Sequence, residues 1–152
     1  MNHREIQSAH ESAVLESFSR FMEEQGVRMD VLYCPDPPDA IVELNGVRCW
    51  VEITDAFQSR EWARSITSDS AEDKVNHPYK DGMVDEPDQV ACEQIMEVVL
   101  KKYDKDSMKE LLHFNGQGIL LVGAYTPLTS LDEIVEKGRD IIMAEIADRT
   151  AI

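Results

Sequence analysis

The sequence predicts an α/β fold in which helices pack against a single sheet. The first observation is an Asn45-Gly46 pair between two runs rich in β-branched residues, 39–44 and 47–54, because Asn-Gly is a strong signal for a two-residue hairpin turn. The second is the almost wholly apolar run "GILLVGAY" at 118–125, which is typical of a strand in a sheet covered on both faces. The third is helical periodicity before and after these strands, which favours a sandwich of helices around one sheet.

The chain opens with a predicted amphipathic helix over residues 5–25. At about 100° per residue, one apolar face holds Val14, Phe18, Phe21 and Met22. Gly26 follows the last turn and is expected to end the helix. A strand is expected at 27–34, and the sequence "PDPP" at 35–38 interrupts it. The two hairpin strands come next.

Beyond the hairpin, residues 55–87 are polar and irregular, and a stretch of that length without a clear element indicates a lid or binding loop. Helices are expected at 87–103 and 130–149, before and after the apolar strand, and residues 108–114 could add a further turn or two of helix. Ser130 lies three residues before Glu133 and should form a capping box at the start of the closing helix. The predicted order is therefore helix, three strands, helix, strand, helix.

Composition limits the classes of protein to which the chain can belong. A chain of 152 residues, 43% of them hydrophobic, is expected to form one domain over residues 1–152. No apolar run approaches the roughly 18–20 residues that span a bilayer, and the polar N-terminus lacks a signal-peptide core, so a cytoplasmic location without membrane contact is expected. The three cysteines, at positions 34, 49 and 92, argue against a disulfide framework and a structural zinc site and are expected to be buried thiols.

The formal net charge of −15 bears on the class of partner. An acidic surface repels phosphate backbones, which attract lysine and arginine. Six carboxylates occur at 81–97 without a basic residue, and the one dense basic stretch, 101–109, holds four lysines and two aspartates. A nucleic-acid substrate would therefore have to overcome an unfavourable overall charge.

The hairpin turn fixes which residues face each other across the two strands. A two-residue turn at 45–46 sets position 44 opposite 47, so Asp39 is expected opposite Glu52. Residues paired in this way share a face of the sheet, with Cβ atoms about 4.5–5.5 Å apart. Thr54 lies two residues beyond Glu52 and is expected on the same face, whereas Asp36 has the other parity.

Two carboxylates at this distance destabilise each other unless a group of opposite charge neutralises them. A hard divalent cation such as Mg²⁺ does this with one or two carboxylates and several waters. The alternative is a sheet face open to solvent, where two acids cost little. The spacing of Asp39 and Glu52 alone leaves both interpretations open.

Two helices also direct a charged residue toward the predicted sheet. Glu11 lies three residues before Val14 and seven before Phe18 on the packing face; it could be a third metal ligand, or an acid in the early turns that suits the helix dipole and reaches water. Lys102 projects within about 60° of the apolar face of its helix, whereas Lys101 points away. Lys102 could serve the same site or be a snorkelling lysine at a helix C-terminus.

The hairpin resembles the signature of the PD-(D/E)XK, restriction-endonuclease-like nuclease superfamily. Pro38-Asp39 resembles the PD element of that signature. Glu52-Ile53-Thr54 resembles the (D/E)XK element, with Thr54 where the lysine usually stands.

The order of elements around the hairpin is similar to the core of the same superfamily, over roughly residues 5–125. Glu11 matches an acid that many members carry on the first helix. The resemblance implies a three-layer α/β/α sandwich with a mixed central sheet, in the core order αβββαβ plus a C-terminal helix.

The resemblance implies a metal-dependent nuclease that hydrolyses phosphodiester bonds, with DNA the expected substrate. A Mg²⁺ or Mn²⁺ ion would be held by the side chains of Asp39, Glu52 and Glu11 and the main-chain carbonyl of Ile53. Some members supply the lysine from the helix after the hairpin, and Lys102 is placed to do so here, with Lys101 and Lys74 as alternatives. Thr54 would orient a water by hydrogen bonding.

Other functions remain open at this point. The chain could be a nuclease-like domain without catalysis that binds another protein through its acidic surface, or a structural domain. It could also be a nuclease within a larger complex whose partner supplies the basic surface. Because many nucleases of this class cut duplexes as dimers, a homodimer is a further possibility.

Overall fold

A computed structural model describes residues 2–57, 87–112, 117–125 and 130–150. Residues 58–86 of the predicted 55–87 loop, with Lys74 among them, lie outside this part of the chain. The elements in chain order are α1 (His3–Glu24), β1 (Met29–Tyr33), β2 (Ala40–Leu44), β3 (Val47–Phe57), α2 (Pro87–Tyr103), α3 (Asp106–Leu112), β4 (Gln117–Tyr125) and α4 (Leu131–Thr150).

The strands form one four-stranded sheet in the order β1-β2-β3-β4. The pairs β1–β2 and β2–β3 are antiparallel, and β3–β4 is parallel, so the sheet is mixed. The parallel pair requires a crossover between β3 and β4, and α2 and α3 belong to it. The prediction of an α/β fold is confirmed.

The turn between β2 and β3 adopts the geometry that its sequence predicts. Asn45 and Gly46 have φ values of 46° and 85°, the left-handed region that Asn-Gly hairpin turns require. Asn45 also contacts the residue that precedes β1, because its Oδ1 accepts a 2.9 Å hydrogen bond from the N–H of Arg28. The register runs from Leu44 opposite Val47 to position 40 opposite 51, as the turn predicts.

Each face of the sheet packs against different helices. On one face, α1 contributes Leu15 to a buried cluster with strand residues. The strand residues of this cluster are Met29, Ala40, Val42, Cys49, Val51 and Ile53. On the other face, Trp50 packs with Met108 of α3, and Ala56 packs with Ile95 of α2. Alternate residues of β3 therefore point to opposite faces, with Glu52 on the α2 side.

Helix ends follow the capping chemistry of their sequences. The Ser130–Glu133 capping box is confirmed: the Ser130 N–H donates to Glu133 at 2.8 Å, and the Glu133 N–H donates to the Ser130 hydroxyl at 3.3 Å. A second capping box, between Asn2 and Glu5 at the start of α1, was not predicted. Gly26 follows the end of α1 with φ 76°, as expected of a helix stop.

Three sequence predictions need correction. Phe21, expected on the apolar face of α1, is 55% exposed rather than buried. Cys34 is exposed rather than a buried thiol, although Cys49 is buried. Finally, β2 begins at Ala40, so that Asp39 precedes the strand.

Among the described residues, none of the helices combines the length and apolarity needed to cross a bilayer.

Candidate active site

The site forms where β3 continues past the end of β2. Ala40, the first residue of β2, pairs with Val51. Strand β3 continues to Phe57, and its last six residues pair with β4 as far as Tyr125. Beyond Val51, β3 is thus no longer paired with β2, and the side chain of Asp39 contacts its backbone instead.

Asp39 is fixed at this point by the backbone of β3. Its Oδ2 accepts a 2.7 Å hydrogen bond from the N–H of Ile53. The carboxylate takes the place of a strand carbonyl that would otherwise accept from this N–H. Hydrogen bonds to a charged acceptor are short and strong, so the Asp39 side chain has a defined position beside Ile53.

Glu52 is the buried acid of the site, with 4% of its surface exposed. It forms an ion pair with Lys102 from the last turn of α2. Lys102 Nζ also lies 3.4 Å from the main-chain oxygen of Ile53, to which it donates. The side chain of Lys102 is 15% exposed, whereas neighbouring Lys101 is exposed to solvent. The structure thus brings Asp39, Glu52 and Lys102 together around Ile53.

Burial and neighbouring charges act in opposite directions on the pKa of Glu52. Burial raises the pKa of Glu52, and the charge of Asp39 raises it further. The hydrogen bond and charge of Lys102, and the charge of Lys105, lower the same pKa. The net direction of the pKa of Glu52 is upward, so burial and the charge of Asp39 together outweigh the effect of the two lysines.

Thr54 is half-buried and occupies a β3 position opposite Val122 of β4. By strand parity it lies on the same face as Glu52. Thr54 is thus the next residue after Glu52 on this face of β3, beside the Glu52–Lys102 ion pair.

Glu11 has a different environment. It is half-buried on α1, and its Oε1 accepts a 2.9 Å hydrogen bond from Gln7. Helix α1 covers the sheet face opposite to the one that Lys102 approaches. Within the described ranges, no three acids, histidines or cysteines form a group able to hold a metal ion. Glu11 is therefore not brought into one ligand group with Asp39 and Glu52.

A second polar contact, on the α1 face, was not predicted from sequence. His10 Nε2 lies 2.9 Å and 3.1 Å from the two carboxylate oxygens of Asp55. The ring of Tyr125 is 6.1 Å from the His10 ring, and burial, followed by the charge of Asp55, raises the pKa of Tyr125. Strand parity, which places Asp55 on the face opposite Glu52, was the available signal.

The donor set at the hairpin fits a hard divalent cation. The carboxylates of Asp39 and Glu52 and the carbonyl of Ile53 offer the oxygen ligands that Mg²⁺ and Mn²⁺ prefer. The two carboxylates are close enough for the charge of Asp39 to raise the pKa of Glu52. Among these oxygens, Glu52 Oε2 and the Ile53 carbonyl contact Lys102.

Comparisons of the chain with protein-family models, curated proteins and solved structures give no match. Function is therefore inferred from the chemistry of the hairpin site.

Proposed function

We propose that this protein is a metal-dependent nuclease of the PD-(D/E)XK kind, which hydrolyses phosphodiester bonds of nucleic acid, with DNA as the substrate. The observation that carries the proposal is the convergence of one acid, Asp39, and one lysine, Lys102, on the dipeptide Glu52-Ile53. Asp39 binds the N–H of Ile53, and Lys102 contacts both the Ile53 carbonyl and Glu52. Such a group of oxygen ligands beside an ammonium suits a metal-bound phosphate.

The topology supports the same proposal. Helix, three strands, two helices and a strand occur in that order, and the sheet is antiparallel except for β3–β4. With α1 on one face and α2 and α3 on the other, the proposed architecture is the three-layer sandwich of the restriction-endonuclease-like fold. The lysine expected at Thr54 comes instead from Lys102 of α2, after the hairpin.

Each residue has a proposed role. Asp39, Glu52 and the carbonyl of Ile53 would hold a Mg²⁺ or Mn²⁺ ion, without Glu11, which lies on the helix that covers the other face of the sheet. When bound, the metal polarises the phosphate and lowers the pKa of a coordinated water. The ammonium of Lys102 stabilises negative charge that develops on the phosphate oxygens. The Thr54 hydroxyl orients the attacking water.

Local charge favours approach of a phosphate despite the acidic chain. Lys101, Lys105 and Lys109 are exposed and surround the end of α2 that carries Lys102. The charge of Lys105 acts on Glu52, so this basic group lies near the site. The remainder of the basic surface is proposed to come from a partner protein or a second copy of the chain.

The experiment is cleavage of plasmid, single-stranded DNA and RNA with Mg²⁺ or Mn²⁺, by the wild type and by Asp39→Ala and Glu52→Ala variants. Metal-dependent cleavage that both substitutions abolish supports the proposal. Asp36 is exposed and lies three residues before Asp39, so Asp36→Asn is the matched control and should keep activity. Cleavage that persists in both alanine variants rejects the site.

A second function is favoured by the neutralised state of the ion pair. Glu52 already has a cationic partner in Lys102, so the buried acid does not require a metal to be compensated. On this alternative, the domain is inactive and binds another protein through its acidic surface. Absence of both cleavage and Mn²⁺ binding by calorimetry would favour it.

A further inference from the structure

We propose that Lys102 is an internal cation that competes with the divalent metal for Glu52 and the Ile53 carbonyl, so that metal binds only when the lysine moves away. This inference rests on the proposed function and concerns regulation of the same site. Competition between Lys102 and the metal differs from a purely catalytic role for the lysine, because removing Lys102 should raise the metal affinity even when no substrate is present.

The contacts of the ammonium define the competition. Lys102 Nζ contacts Oε2 of Glu52 and the main-chain oxygen of Ile53. These are two of the three groups proposed to bind the metal at the hairpin. A Mg²⁺ ion takes its oxygen ligands at about 2.0–2.1 Å, so it cannot share both oxygens with an ammonium in the same place.

Burial makes the exclusion strong. Glu52 is 4% exposed and the side chain of Lys102 is 15% exposed, so little water is available to screen the repulsion between two cations. Charges interact more strongly as the effective dielectric constant falls. The metal must therefore displace the ammonium rather than bind beside it.

The third proposed ligand is not part of the exchange. Asp39 Oδ2 is held by the Ile53 N–H at 2.7 Å, and this bond does not involve Lys102. Asp39 thus remains in position whichever cation is present. The long flexible stem of lysine allows the displaced ammonium to turn toward a phosphate, which is where the proposed function uses it.

The test is calorimetric titration of the full metal-free chain with Mn²⁺ in the absence of nucleic acid. Lys102→Met removes the competing charge and keeps an apolar stem, and it should bind Mn²⁺ at least about tenfold more tightly than the wild type. Lys101→Met, which removes an exposed charge from the neighbouring position, should bind as the wild type does. Glu52→Gln should abolish binding.

A second variant protects the test against misfolding. Lys102→Gln retains a hydrogen-bond donor, and far-ultraviolet circular dichroism establishes that each variant is folded before titration. Mn²⁺ should raise the melting temperature of both Lys102 variants more than that of the wild type or of Lys101→Met.

The possible failures are distinguishable. If Mn²⁺ binds the wild type and both Lys102 variants equally, and Glu52→Gln abolishes binding, the competition is wrong and the metal site stands. If neither the wild type nor any Lys102 variant binds Mn²⁺, the metal site itself is wrong, and the proposed nuclease function fails with it.

Discussion

Asp39, one residue before β2, accepts a 2.7 Å hydrogen bond from the main-chain N–H of Ile53 in β3. The carbonyl of the same residue accepts from Lys102 of α2. One residue of β3 therefore binds an acid that directly precedes the neighbouring strand and a lysine from the covering helix. Its neighbour Glu52 completes the group through its ion pair with Lys102.

Replacing Asp39 separates its structural role from its charge. Asp39→Asn keeps an oxygen acceptor for Ile53 and should change the free energy of unfolding by less than about 1 kcal/mol. Cleavage should nevertheless fall by about 100-fold or more, because the metal site loses a charged ligand. Asp39→Ala also loses the hydrogen bond, and should cost about 1.5–3 kcal/mol. Urea denaturation and the nuclease assay measure the two effects.

The outcome is judged against Asp36→Asn. Asp36 is exposed and has a φ of 49°, a conformation that asparagine tolerates. This control should change neither stability nor cleavage. Equal loss of activity in Asp36→Asn and Asp39→Asn would contradict a specific role for Asp39.

The Glu52–Lys102 pair should show strong coupling in a double-mutant cycle. Lys102→Met leaves the buried acid without its ion-pair partner and should cost about 1–3 kcal/mol of unfolding free energy, because a buried group that loses its partner is left unsatisfied. The double variant Glu52→Gln with Lys102→Met should be more stable than Lys102→Met alone. Urea denaturation without metal gives the coupling energy.

The control for this cycle is Lys101→Met on the same turn of α2, where the side chain is exposed. It should shift the free energy of unfolding by no more than about 0.5 kcal/mol. Additive effects of the Glu52 and Lys102 substitutions would show that the two side chains do not interact in solution.

Tyr125 should make stability depend on alkaline pH. Burial and the charge of Asp55 raise its pKa above the ordinary value of 10.0, so the folded protein holds the phenolic proton more tightly than the unfolded chain. This contribution is complete below about pH 10 and is lost as the pH rises through the folded pKa. Relative to Tyr125→Phe, the wild type should therefore lose unfolding free energy above about pH 10.

The measurement is urea denaturation of both proteins between about pH 8.5 and 11. Tyr33→Phe, at a position that is 52% exposed, is the control and should follow the wild type. Parallel curves for the wild type and Tyr125→Phe would contradict a raised pKa.

Local rules made the hairpin predictable. A two-residue turn with both φ values positive permits one register, and parity then determines the face of every β3 residue. The same reasoning placed Lys102 on the apolar face of α2, because helical periodicity fixes direction around the axis. These features depend on residues that are near each other in the chain.

Features that depend on tertiary position could not be read in this way. Phe21 has the same angular position as Val14 but is 55% exposed, because periodicity does not say how far along a helix the sheet extends. The contact between His10 and Asp55 depends on the orientation of α1 over β3. The extension of β3 to Phe57 depends on its parallel pairing with β4.

Gly118 should tolerate no side chain, because the Trp50 ring covers it. A Cβ at position 118 would lie 1.8 Å from Cζ2 of Trp50. Gly118→Ala should therefore cost about 1–3 kcal/mol or more in unfolding free energy. The same substitution should cost less when it is made in a Trp50→Leu variant than when it is made in the wild type. Gln117→Ala, at an exposed neighbouring position, is the control in urea denaturation. An unchanged stability of Gly118→Ala would contradict the contact.

The hairpin turn offers a test of whether register governs the site. Gly46 has a φ of 85°, and a Cβ there would meet no atom within 4 Å. Any loss in Gly46→Ala must therefore come from backbone strain, which costs about 1–2 kcal/mol for a residue in the left-handed region. Gly26 has a φ of 76° and equally open surroundings, so Gly26→Ala applies similar strain away from the hairpin.

Both alanine variants should lose similar unfolding free energy in urea denaturation. If the wild-type register survives, both should keep the Mn²⁺ affinity of the wild type per folded molecule. A slip of one residue would instead turn Asp39 away from Glu52, so Gly46→Ala would lose Mn²⁺ affinity while Gly26→Ala retained it. Equal loss of affinity in the two variants would show that general destabilisation, rather than the pairing of β2 with β3, controls the site.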